Sequence, residues 1–151
     1  MHRIIGGAAI ILSCTLASSY ITSIEKKKIE QSEAFIELVK YTRDQIDNYA
    51  TPIDKILSGS KDILLKLGIE KEISSFDELL PICTEECKKA ILSFSESIGK
   101  GYREQQVQMC GGVLSELEGI RKKLVDAYPA KKKTNAALCL AAGGALIIAL
   151  L

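Results

Sequence analysis

The chain has 151 residues, with 20 Lys and Arg against 19 Asp and Glu, a formal net charge of +1 and a single histidine. So even a balance leaves no basic surplus to line a nucleic-acid groove, and no nucleic-acid partner is expected. With His2 outside the charged middle, that region has no base for a Ser-His or Cys-His pair, and no G-x-x-x-x-G-K-[ST] loop cradles a phosphate; neither an enzyme nor a cofactor is expected.

The N-terminal run "IIGGAAIILSCTLASSYITSI", Ile4 to Ile24, carries no charge and gives way at once to "EKKK". It predicts a membrane helix over residues 1–24, because about 20 apolar helical residues match the ~30 Å hydrocarbon core of a bilayer. Two alternatives stand beside it. A signal peptide would use Arg3 as its charged start and "LASSY" for cleavage. A lipidated Cys14 would need "ILSC" to serve as a lipoprotein box. Against both, Lys26, Lys27 and Lys28 follow the run directly, and positive flanks resist export.

Residues 25–133 read as helix throughout. Ile29, Phe35, Leu38, Val39, Ile46 and Tyr49 recur at helical spacing as far as about Ala50. In "NYATPIDKILSG", Thr51 suits an N-cap, Pro52 the first helical position and Gly59 a stop. "KDILLKL" predicts a short helix ended by Gly68. Ser75 with Glu78 reads as a capping box opening a helix that Pro81 interrupts. Thr84, Glu85 and Glu86 start the next helix, which runs to Gly99.

The last helix of this region starts near Tyr102. Val107, Cys110, Val113, Leu114, Leu117, Ile120 and Leu124 make its apolar stripe, suited to a bundle or a coiled coil. Gly111 and Gly112 weaken it, and predict a close helix approach or a kink. Cys83 and Cys87 share one helical face, but only Cys110 stands nearby as a further ligand. Reduced structural cysteines, and no metal, are expected.

Thr134 to Leu151 again carries no charge and no polar face, and follows Lys131–Lys133. It predicts a second membrane helix over 134–151, with Pro129 and the lysines as the junction; a buried core helix is the alternative. Lysines at the inner end of both runs place 25–133 in the cytoplasm by the positive-inside rule, as part of a multi-pass membrane protein. Ala137, Ala141, Ala145 and Ala149 fall at four-residue steps, as do Ala9, Ser13 and Ala17. Small faces let helices approach closely, on each other or on a partner, a homo-oligomer included.

One further stretch is dense in polar groups. In "ESIGKGYREQQVQ", Gly99 and Gly101 bracket a turn, and Arg103, Glu104, Gln105 and Gln106 crowd the next helix start. Arg103 is expected to pair with an acid or to contact a partner.

"TPIDKIL" (51–57), "FSESIGKGYREQQ" (94–106) and "AALCLAAGGALIIALL" (136–151), in this order, resemble the stage III sporulation protein AB family. The resemblance covers nearly the whole chain. It implies an all-α, antiparallel helical bundle, similar to the platform proteins of type II secretion and type IV pilus systems, flanked by two transmembrane helices. It also implies a structural subunit of a channel or secretion-like apparatus between mother cell and forespore, set in the mother-cell membrane. The implied partners are the AA-type secretion ATPase of the same operon, other membrane components of the channel, and membrane lipid. The family pattern carries an aspartate near Tyr102 that this chain lacks, so no role of that acid carries over. Thr51, Pro52, Gly99, Gly101, Arg103, Glu104, Gln105 and Gln106 are the residues expected to define the fold or face a partner. Two other classes remain open: an exported lipoprotein-like binding protein, and a tethered adaptor that dimerises through its last helix.

Overall fold

The computed structural model describes the backbone of residues 2–150, and the side chains of 12–146 and 148. Its elements are α1 (His2–Tyr49), α2 (Ile53–Gly59), α3 (Lys61–Lys66), a 3-10 helix (Phe76–Ile82), α4 (Glu85–Ser97) and α5 (Arg103–Leu150). The chain divides into two compact units, one of Lys28–Lys123 and one of Met1–Lys27 with Leu124–Leu151.

In the larger unit the expected helical stripes become the core. Phe35, Leu38, Val39 and Ile46 of α1 are buried with Cys110, Val113, Leu114 and Leu117 of α5. Each such side chain contributes about 1.5–3 kcal/mol by leaving water. Cys87, Ala90, Ile91 and Phe94 of α4 complete the packing, and Phe94 meets Phe76 edge to face, with ring centroids 4.8 Å apart. Exposed ion pairs record an antiparallel register between α1 and α5: Glu33 with Arg121 at 2.7 Å, Lys40 with Glu118 at 3.2 Å and Asp47 with Arg103 at 2.9 Å. Such pairs contribute little stability but report alignment.

Local chemistry explains the corners. α1 ends at Ala50, whose φ of 50° is left-handed; its N–H donates to the Ile46 carbonyl, and that of Thr51 reaches back to Gln45. These bonds satisfy the carbonyls that a helix C-terminus leaves open. Pro52, and not Thr51, is the N-cap of α2, accepting the N–H of Ile56 at 3.1 Å. Gly68, with φ of 81°, ends α3 as expected from the sequence. A polar clamp then ties α1 to the chain ahead of α4: the Gln31 amide donates to the Ile82 carbonyl at 2.7 Å and accepts the Thr84 N–H at 2.8 Å.

Four local expectations change. The segment opened by Ser75 is a 3-10 helix, with Pro81 inside it. Proline lacks the N–H that an α-helix would use there, which favours a short, tight element. The Glu78 carboxylate reaches the Ser74 N–H at 2.8 Å, one residue short of the expected capping box, while the Ser75 hydroxyl accepts from Asp77. Gly111 and Gly112 admit no close neighbour, since an added Cβ would meet nothing within 4 Å at either position. α5 also continues through Pro129 and the lysine run without ending.

In the smaller unit α1 and α5 again run antiparallel, with Lys131 and Glu25 paired at 2.7 Å. The half-buried faces are Cys14, Ser18 and Thr22 on α1, and Asn135 and Cys139 on α5. No helix among the described residues is long and apolar enough to cross a membrane. This overturns the transmembrane helices expected at 1–24 and 134–151. The multi-pass membrane placement and the membrane-anchored channel or secretion role built on them fall with it. The physical reason is polarity. Among the described residues, 12–24 of α1 carry hydroxyls at Ser13, Thr15, Ser18, Ser19, Tyr20, Thr22 and Ser23, and Glu25 to Lys28 follow at once. On α5 the lysines at 131–133 continue in the same helix into Thr134 and Asn135, and the stretch beyond carries the Gly143-Gly144 pair. The side chains of residues 1–11, 147 and 149–151, Ala9 and Ala149 among them, lie outside the described residues.

Candidate docking surface

The Thr51-Pro52 corner and the Gly99–Gln106 turn, far apart in sequence, meet in the larger unit. Ile46, Ala50, Pro52, Ile53, Gly99 and Arg103 line a shallow groove of about 250 Å³ between them. A Cβ at Gly99 would stand 3.4 Å from the Ile53 side chain, and the φ of Gly99 is 78°, so both space and backbone favour glycine here.

Most of the polar residues crowded after Gly101 brace the turn. The Gln106 amide accepts the Gly99 N–H at 3.0 Å and donates to the Gly101 carbonyl at 3.1 Å, gripping both arms. Gln105 accepts the Tyr102 N–H at 3.3 Å, the return half of a capping box with Tyr102 in place of serine. An added Cβ at Gly101, whose φ is 95°, would press on the Gln105 side-chain oxygen Oε1. Thr51 donates its hydroxyl to the Gln45 side chain at 3.0 Å. The Arg103 guanidinium donates to both the backbone carbonyl and the carboxylate of Asp47. The acid that pairs with Arg103 thus comes from the end of α1.

What points outward is different chemistry. Tyr102 is 79% exposed and Tyr49 is 72% exposed. They are the chain neighbours of Arg103 and Ala50, which line the same groove. Glu104 and Arg103 also line a second depression, of about 530 Å³, with Arg43, Asp47 and Gly111. Tyr49 recurs at helical spacing with the buried Ile46, but on the last turn of α1 it is exposed. Asp47 and Gln45 gave no sequence signal, because their roles depend on what lies opposite.

The cysteines of this unit offer little reactivity. Burial pushes the Cys83 thiol up to about 12 and the Cys110 thiol up to about 11, and it raises Cys87 as well. The Cys83 thiol donates to the Leu79 carbonyl at 3.2 Å. Thiols so held stay protonated and are poor nucleophiles or metal ligands. Among the described residues no group of His, Cys, Asp and Glu is gathered to hold a metal ion.

In the smaller unit Ala137, Ala141 and Ala145 are exposed, and the inward face two positions away is formed by Asn135, Cys139 and Gly143. In comparisons with known proteins, no family model, no curated protein and no solved structure matches this chain.

Proposed function

We propose that this chain is a non-catalytic docking subunit whose larger unit binds a protein partner through the surface around Tyr49, Tyr102 and Arg103. One observation carries the reading: two exposed tyrosines flank a groove whose arginine is already held in place by Asp47. Tyrosine and arginine dominate the energetic centres of interfaces, and rigid rings bring contact area at low entropic cost. Bracing by Gln105 and Gln106 reduces what must be ordered on binding. The stretches 51–57 and 94–106, which resemble the stage III sporulation AB family, both contribute to this surface. On that support the partner is the AA-type secretion ATPase that the resemblance implies.

Pull-down of that ATPase by the full-length chain tests the reading. Tyr102→Ala and Tyr49→Ala remove exposed rings without touching the brace. Each should weaken capture at least about tenfold, near 1.4 kcal/mol, with unchanged thermal unfolding. Lys89→Glu, on the exposed side of α4, should leave capture intact. Undiminished capture by the double tyrosine variant would defeat the assignment.

A further inference from the structure

The smaller unit holds a groove of about 420 Å³ between α1 and α5, within the size range of small-ligand sites. Its walls include Cys14, Ser18 and Thr22 from α1, and Lys132, Cys139 and Leu140 from α5. The sequence suggests a polar lining, but both threonine hydroxyls are turned onto their own helix. Thr15, also on the wall, donates to the Leu12 carbonyl, and Thr22 to the Ser18 carbonyl, each at 2.8 Å. Those threonines spend their hydroxyl protons on their own helix.

Charge is confined to one end. Antiparallel packing sets Lys132 near Thr22, and sets Cys139 and Leu140 near Cys14, roughly 12 Å along the helix. Lys131 is neutralised by Glu25 at 2.7 Å, whereas no acid pairs with Lys132 among the described residues. An apolar trough with one cation at its end is complementary to one kind of molecule. We propose that this groove binds a medium-chain carboxylate, with the carboxylate on the Lys132 ammonium and the alkyl chain lying toward Cys14 and Leu140. Neutral and cationic chains of the same length lack the ion pair, so selection rests on Lys132.

The two half-buried thiols report occupancy directly. In the full-length protein, dodecanoate below its micelle-forming concentration should slow maleimide labelling of both Cys14 and Cys139, while buried Cys87 stays unlabelled. Lys132→Glu and Lys132→Gln should each raise the protecting concentration on the order of tenfold, as should substituting dodecanol or dodecylamine for the acid. Equal protection by dodecanol, or by dodecanoate in both lysine variants, would overturn the proposal in favour of unselective apolar adsorption. Labelling of Cys87 would overturn it as detergent unfolding. Phospholipid vesicles that protect wild type and Lys132→Glu alike, where dodecanoate protects neither, would assign the face to a lipid surface instead. This site is independent of the docking surface, and ATPase capture reads only the latter.

Discussion

Ala50 shows how one residue type limits this fold. Its left-handed backbone closes α1, and an L side chain there costs about 1–2 kcal/mol that glycine avoids. Ala50→Gly should therefore raise stability by about 1 kcal/mol, read as a higher urea midpoint at unchanged slope, even after the added freedom of the unfolded glycine is counted. Gln106 is the converse case, since a single amide grips Gly99 and Gly101 together. Gln106→Ala should cost about 1–3 kcal/mol in the same measurement, because two backbone groups lose their partner. Docking at Tyr102 should weaken with it, since the turn that carries the ring loosens.

Among the elements, α5 carries glycines that its packing does not require. Added Cβ atoms at Gly112 and Gly119 would meet nothing within 4 Å, so Gly112→Ala and Gly119→Ala should each stabilise by about 1 kcal/mol in thermal or urea unfolding. Gly59→Ala in α2 should destabilise, because its Cβ would run into the Tyr41 hydroxyl. The 3-10 helix carries an acid-sensitive contact. The Ser74 backbone N–H, and then Lys71, hold the Glu78 carboxyl down at about 2 against an ordinary 4.5. The unfolded chain takes up that proton first as pH falls. The contact's stabilisation is therefore complete above about pH 4.5 and fades toward about pH 2. Glu78→Gln should flatten the loss of stability across that window, measured by urea unfolding at a series of pH values.

On the scale of the molecule, the large apolar core among the described residues lies in one unit. The buried hydrophobic residues run from Ala34 to Leu117, all inside Lys28–Lys123. A fragment of residues 28–123 should fold on its own, with one cooperative thermal transition followed by circular dichroism. Phe94→Ala in that fragment should cost about 3–5 kcal/mol, since its ring is fully buried against Phe76. A fragment without a cooperative transition would show that the core depends on the other unit. The smaller unit leaves Leu12, Leu16, Leu138 and Leu140 largely exposed. A surface of that kind favours ligands or partners over a dry interior.

Periodicity along the chain was enough to establish an all-helical fold, because three- and four-residue spacing is a property of one helix at a time. It also located the stripes of α1 and α5, the stop at Gly68 and the turn at Gly99 and Gly101. Apolar length misled at both ends: an uncharged run was read as a span, and no helix among the described residues is long and apolar enough for one. Tertiary structure alone decided that Arg103 is held by Asp47, that Gln31 clamps the chain ahead of α4, and that residues 51–53 lie against Gly99. Each of those contacts joins residues tens of positions apart, and no local pattern encodes a partner that only packing supplies.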